Sequence, residues 1–207
     1  TIVDAVFQNR EIAKKRANIL ETLGLAPQGY FLVTSHRQEN VDNPEKLRSI
    51  IAGLEAVHRE YSLPVIFPMH PRTRKMVEQF GVSLDGISVM NPVGFLEFLQ
   101  LESNARLVLT DSGGVQEETC ILGVPCVTLR ENTERPETIE VGGNILTGTD
   151  SAEILASAQE MLSRPRIWEN PYGDGMASRM IVTICGGLSG ARKVSGKSSV
   201  PSCADPV

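Results

Sequence analysis

The stretch Leu107-Val-Leu-Thr-Asp-Ser-Gly-Gly-Val-Gln-Glu-Glu-Thr-Cys120 joins an apolar run ending at Thr110 to a serine, two glycines and the opening of a helix. A strand that turns directly into a helix is the repeating joint of α/β folds. The first turn of a helix has unpaired N–H groups at the positive end of its dipole, so it attracts anions. Gly113 and Gly114 lack the Cβ atoms that would hold a phosphate off that backbone. Ser112 can cap the helix or lend its hydroxyl to the anion. Glu118 follows about one and a half turns later, where a carboxylate could hold sugar hydroxyls. These residues suggest a seat for a nucleoside diphosphate. A capped helix whose glycines only relieve crowding would carry the same letters, so the flanking segments decide.

Working outward, short apolar runs recur at Tyr30–Thr34, Pro64–Pro68, Ile87–Met90, Leu107–Thr110, Cys126–Leu129 and Asn144–Leu146. Helical periodicity fills most of the gaps. It is clearest over Pro44–Tyr61, where Leu47, Ile50, Ile51, Leu54, Val57 and Tyr61 share one face. Asn43 is positioned to cap that helix, and Pro44 takes the first position, where a missing N–H costs nothing. Ile154, Leu155, Ala158, Met161 and Leu162 form another apolar face after Asp150-Ser151. The alternation predicts an α/β fold with a mainly parallel, doubly wound sheet, in which ligands bind beyond the carboxyl ends of the strands. Polar clusters fall at those ends: Ser35-His36-Arg37, Met69-His70-Pro71-Arg72, Asp111-Ser112-Gly113-Gly114 and Arg130-Glu131-Asn132-Thr133-Glu134-Arg135.

A hydrophobic share of 41%, a charged share of 22% and a net charge of −5 describe an ordinary globular protein. With no basic run of five or six residues, no nucleic-acid partner is expected. No apolar stretch approaches the ~18 residues of a membrane span, and Thr1-Ile-Val-Asp-Ala has no signal-peptide character. Cys120, Cys126, Cys185 and Cys203 lack metal-ligand spacing, so no metal is expected. The first two fall in apolar segments and read as buried reduced thiols, which makes the cytoplasm the default compartment. The first 24 or so residues read as one helix with no strand before it, as if the chain began mid-fold. From about residue 184 the Gly/Ser/Lys-rich composition predicts a disordered or non-native tail.

His36 and Arg37 could neutralise a diphosphate, and His36 could pass a proton to a leaving phosphate. Loop capping is the plainer role for the pair. His70 is a weaker candidate of the same kind, with Arg72 and Arg74 near it. Arg135, planar and permanently charged, suits bidentate phosphate contact, although it could simply pair with Glu131 or Glu134. Pro136 could start a helix through Glu137–Val141. Phe98 could wall a base pocket, but Phe95 and Phe98 at i,i+3 fit a core face equally well.

Together these segments resemble the non-hydrolysing UDP-N-acetylglucosamine 2-epimerases. The matching pieces are Thr34-Ser-His-Arg-Gln-Glu-Asn40, Met69-His-Pro-Arg72, Thr110-Asp-Ser-Gly-Gly-Val-Gln-Glu-Glu118, Gly123-Val-Pro125, Thr133-Glu-Arg-Pro-Glu137 and Asn170-Pro-Tyr-Gly-Asp-Gly175 with Ala177-Ser178. The resemblance implies two facing Rossmann-like domains in a GT-B-like arrangement, of which this chain is the carboxy-terminal one. Residues 1–24 would be the interdomain crossover helix, 25–183 the UDP-binding domain and 184–207 the tail.

The resemblance further implies that Ser112, Gly113 and Gly114 bind the diphosphate and that Glu118 holds the ribose. Arg135 and the catalytic His36 would complete the phosphate site, and backbone near Phe98 would recognise uracil. Arg37 and His70 match positions that contact a second, activating UDP-N-acetylglucosamine in some members. Val93 stands where some relatives have glutamine.

The implied partners are UDP, UDP-N-acetylglucosamine, the absent amino-terminal domain and a second copy in a homodimer. No cofactor or membrane is implied. The family reaction eliminates UDP and adds it back, with acid/base carboxylates largely from the other domain, so this chain alone is expected to bind without turning over. The competing readings are the nucleotide-sugar domain of a GT-B glycosyltransferase and a non-catalytic UDP-sugar sensor.

Overall fold

The computed structural model describes residues 1–191 of the 207. Six strands, β1 (Phe31–Thr34), β2 (Val65–Pro68), β3 (Ile87–Met90), β4 (Leu107–Thr110), β5 (Cys126–Thr128) and β6 (Asn144–Leu146), form one parallel sheet in the order β3-β2-β1-β4-β5-β6. Residues 107, 108, 109 and 110 of β4 lie opposite 31, 32, 33 and 34 of β1. The strand order therefore reverses at the β1/β4 pair, and the crevice beyond the carboxyl ends of those two strands is where such sheets bind ligands. The sheet is the α/β, Rossmann-like fold that the alternation predicts.

Helices cover both faces. On one, Phe31, Val33, Val65 and Phe67 pack with Leu47, Ile50 and Leu54 of α4 (Pro44–Tyr61) and with Ile154 and Ala158 of α9 (Ser151–Ser163). On the other, Tyr30, Leu32, Ile66 and Val108 pack with Leu101 of α6 (Phe95–Asn104) and Val115 of α7 (Gly113–Leu122). Alternate residues of β1 point to opposite faces, and both faces are covered, so the strand reads as a continuous apolar run. Asn43 caps α4 by accepting from the N–H groups of Glu45 and Lys46, with Pro44 at the first position. Gly53 lets α4 and α9 meet, because a Cβ there would lie 2.9 Å from Ile154.

Short helices α3 (Gln38–Val41), α5 (Pro71–Gln79) and α8 (Pro136–Glu140) follow three of the polar clusters. Two elements differ from the sequence reading. The amino-terminal segment is two helices, α1 (Ile2–Arg16) and α2 (Ile19–Leu23), separated by an extended Ala17. Gln100 fixes the break, accepting from Ile19 N–H and donating to Ala17 C=O. At the other end, α10 (Ala177–Ala191) runs past the boundary placed at residue 183. It does so despite three glycines, at 186, 187 and 190, each worth about 1 kcal/mol against a helix. The rest of the expected tail, 192–207, lies outside the described residues. Cys120 and Cys126 are free and buried, with thiols pushed up to about 11 and about 12 by burial.

Candidate functional site

At the β1/β4 reversal the buried Asp111 organises the loop after β1. Its carboxylate accepts from Ser35 Oγ, the backbone N–H groups of His36 and Arg37, and Asn40 Nδ2. His36 Nδ1 lies 3.3 Å from Asp111 Oδ1. That contact is not an aligned hydrogen bond, but it turns the Nδ1 edge of the ring toward the carboxylate. The ring is half exposed and 6.4 Å from that of His70, centroid to centroid. Between them opens a cavity of about 220 Å³ lined by Thr34, His36, Pro68, His70, Pro92, Ser112 and Val115.

The amino-terminal turn of α7 borders this cavity. Ser112 is its N-cap, but its side chain makes no capping hydrogen bond, leaving the hydroxyl available to a ligand. A Cβ on Gly114 would meet nothing closer than Ser112 Oγ at 4.0 Å, so the backbone there is open to a bulky anion. Gly113 differs, since its Cβ would fall 2.5 Å from Glu134 Oε1. The acidic Glu134 side chain therefore rests against the helix start.

Three arginines surround that turn, each already engaged. Arg37 donates from Nε to Asp111 C=O and from Nη2 to Glu134 Oε1 at 2.8 Å. Arg130, 7% exposed, donates to Glu134 Oε2 at 2.6 Å and to Asn132 Oδ1. Arg130 chiefly holds the Glu134 carboxyl down to about 2, with Arg37 adding to the effect. Arg135 Nε lies 2.6 Å from Glu117 Oε1, an ion pair without an aligned hydrogen bond. Its carboxylate partner is thus neither Glu131 nor Glu134, the two alternatives weighed from sequence, although Nη1 donates to the Glu134 backbone carbonyl. Any anion reaching these guanidinium groups would compete with Glu134 and Glu117 for them.

The Arg135 loop is tied to α7 by a polar network. Thr133 Oγ1 donates to Gln116 Oε1 and accepts from Arg135 N–H, while Asn144 bridges Gln116, Thr138 and Thr128. Glu118 is half-buried further along α7, its carboxyl pushed up to about 7 by burial and by Glu117. Phe98 packs, half-buried, with Val93, Met90 and Val115 on the second core face, whereas Phe95 is exposed. Arg72 is paired with Asp42, and Arg74 reaches Met90 C=O and Asn91.

The structure thus brings His36, His70 and Ser112 to one cavity, with Gly113, Gly114, Arg37 and Arg135 on its α7 flank. Glu118 and Phe98 lie outside the cavity lining. The sequence reading places Asp111 and Arg130 in strand-end polar clusters but assigns no individual role to them, to Gln116 or to Asn144, all of which hold other residues. The available signals are the positions of Asp111 and Arg130 directly after the fourth and fifth apolar runs. Among the described residues no cluster of His, Cys, Asp and Glu suits a metal, and no helix is long and apolar enough to cross a membrane.

Comparison with known proteins agrees with this geometry. A family profile described as UDP-N-acetylglucosamine 2-epimerase matches residues 1–186. The UDP-N-acetylglucosamine 2-epimerase of Methanocaldococcus jannaschii is 49% identical over 191 residues, 89% of this chain and 52% of that protein. A UDP-2,3-diacetamido-2,3-dideoxy-D-glucuronate 2-epimerase of Pseudomonas aeruginosa is 43% identical, over 77% of this chain and 45% of its own. The crystal structure of the M. jannaschii enzyme in complex with UDP-GlcNAc and UDP superposes with a TM-score of 0.82 at 48% identity, covering 90% of this chain and 53% of that one. The chain spans about half the length of the curated relatives it matches.

Proposed function

The chain belongs to the UDP-N-acetylglucosamine 2-epimerase family, and from that premise we propose that it supplies the carboxy-terminal, UDP-binding half of an enzyme interconverting UDP-GlcNAc and UDP-ManNAc. The observation that carries the reading is the start of α7. An uncommitted Ser112 hydroxyl and an open Gly114 backbone border the cavity that His36 and His70 share, at the reversal point of the sheet.

C2 of the sugar bears an acetamido group and no adjacent carbonyl, so its proton is too weakly acidic for simple removal and return. The reaction instead takes the C2 proton while the C1–O bond breaks, and its electron pair leaves with UDP. The C1–C2 double bond of 2-acetamidoglucal results. UDP then adds back to C1 as a proton is delivered to the other face of C2. Charge develops on the departing diphosphate, so donors and cations aimed there stabilise the transition state most.

In this reading the α7 amides, Ser112 and Arg135 bind the diphosphate, and His36 Nε2 faces the leaving oxygen. Glu118 holds the ribose, and backbone near Phe98 recognises uracil. Arg37 and His70 border a second, activating nucleotide-sugar. The carboxylates that move the C2 proton come from the amino-terminal half, so the 207-residue chain binds UDP without turnover. Met180, Ile181, Val182 and Ile184 of α10 are exposed and apolar, and the other half, in a cytoplasmic homodimer, would cover them.

Calorimetry of the chain with UDP tests the reading. Saturable binding is expected at millimolar ligand or below, with no UDP-ManNAc or 2-acetamidoglucal formed from UDP-GlcNAc. No binding at that concentration would remove the diphosphate seat, and turnover by the chain alone would remove the division of labour. Release of 2-acetamidoglucal by the full-length enzyme without an acceptor separates it from a glycosyltransferase.

A further inference from the structure

Glu102 sits in the last turn of α6 with its side chain fully buried, and neither carboxyl oxygen receives a hydrogen bond. The negative end of that helix's dipole is the wrong place for an anion. The neighbouring groups offer no cation. On α7 the facing group is Glu118, itself beside Glu117, and on β5 it is Cys126, whose thiol burial pushes up to about 12. Arg135 is engaged with Glu117. On α1, Arg10 and Lys14 line a cavity with Gln100, Ser103 and Asn104, and Glu102 is not among its lining residues. The Glu118 carboxyl is within hydrogen-bonding reach. Two facing carboxylates can only accept from each other, and one shared proton satisfies both.

We propose that Glu102 is a positioning residue of the nucleotide site, carrying a carboxyl proton that it donates to Glu118. This rests on the reading that Glu118 holds the ribose. The deeper carboxyl keeps the proton because it is the more completely desolvated. Glu118 thereby stays ionised to a lower pH than its burial alone would allow, and its remaining lone pairs can take the ribose hydroxyls. Without the donor, Glu118 would tend to protonate in its half-buried place and lose acceptor strength.

Two measurements on the 207-residue chain test this. Infrared difference spectroscopy of ligand-free protein at pH 8, wild type minus Glu102→Gln, should show the carbonyl band of a protonated carboxyl. The second is the affinity ratio of UDP to 2′,3′-dideoxy-UDP as a function of pH, which cancels the titration of the phosphates. In the wild type the ratio should rise with pH through about 7, as Glu118 ionises. Glu102→Leu, which fills the space but donates nothing, should move that midpoint up by about one pH unit or more. Glu102→Gln, whose amide still donates, should restore it to near the wild-type position.

A missing infrared band would overturn the proton on Glu102. Leu and Gln variants with the wild-type midpoint would reduce Glu102 to packing. A wild-type ratio of one at every pH would overturn the ribose reading and the positioning role with it. The infrared band is read without ligand, so these failures remain distinguishable.

Discussion

Asp111 and His36 face each other at 3.3 Å across the carboxyl ends of β4 and β1, and the same carboxylate caps the backbone of the loop that carries the imidazole. One side chain therefore fixes both the ring orientation and the path of residues 35–40. Asp111→Asn keeps the shape but replaces one acceptor oxygen with a donor facing N–H groups. We expect a loss of about 2–3 kcal/mol in unfolding free energy, the scale of hydrogen bonds to a buried charge, measured by urea denaturation. UDP affinity should fall as well.

Gly114→Ala should separate stability from binding. Its Cβ meets open space, and alanine in the first turn is up to about 1 kcal/mol better than glycine in a helix. Thermal unfolding should be unchanged or raised, while UDP binding weakens because the methyl group enters the phosphate's approach. Equal affinity for UDP would place the diphosphate elsewhere.

Arg135→Ala should weaken UDP binding by about 1.5–3 kcal/mol, the range for a charged hydrogen bond, or roughly 10- to 150-fold. Calorimetry reads this directly. Unchanged affinity would leave Arg135 as the partner of Glu117 and nothing more.

Glu118→Gln should cost UDP more affinity than it costs 2′,3′-dideoxy-UDP, because the change falls on the ribose hydroxyls alone. Parallel titrations with the two nucleotides check it, and equal losses would separate Glu118 from the ribose.

The Glu134 carboxyl is held down to about 2, against an ordinary 4.5, mainly by Arg130. A folded-state value below the unfolded one gives stability that is present above about 4.5 and lost as pH falls through about 2. The side chain is 43% exposed, so solvent screening limits the effect to about 1 kcal/mol. Glu134→Gln should lower stability by that amount at pH 7 and flatten the acid limb between those two values. An acid limb identical to the wild type would show that the pair contributes nothing net.

The strands were legible because parallel strands buried on both faces are bare apolar runs. Ile87–Met90, Leu107–Thr110 and Asn144–Leu146 have the same ends in sequence and structure, and the others differ by a residue. Asn43-Pro44 likewise announced α4 by its capping chemistry. The break at Ala17 was hidden because the residue that stabilises it, Gln100, lies 83 positions away. The same holds in the site. Ser112, Gly114 and His36 carry local signatures, whereas the Arg135–Glu117 pair, the Gln116–Asn144 network and buried Glu102 depend on contacts between distant segments. Glu102, in Leu-Glu-Ser, looks in sequence like any solvated helix carboxylate.

The two central strands also set an order of events. Thr34 Oγ1 and Thr110 Oγ1 touch at 2.6 Å although 76 positions apart in the chain. The pairing that creates the crevice therefore closes a long loop, whose entropy must be overcome before its contacts can reward it. A chain emerging from the ribosome has β1 and its histidine long before it has β4 and the glycine turn. If the proposed site holds a nucleotide, its binding is then a late event in folding, and UDP present during refolding should stabilise only chains that have completed the sheet.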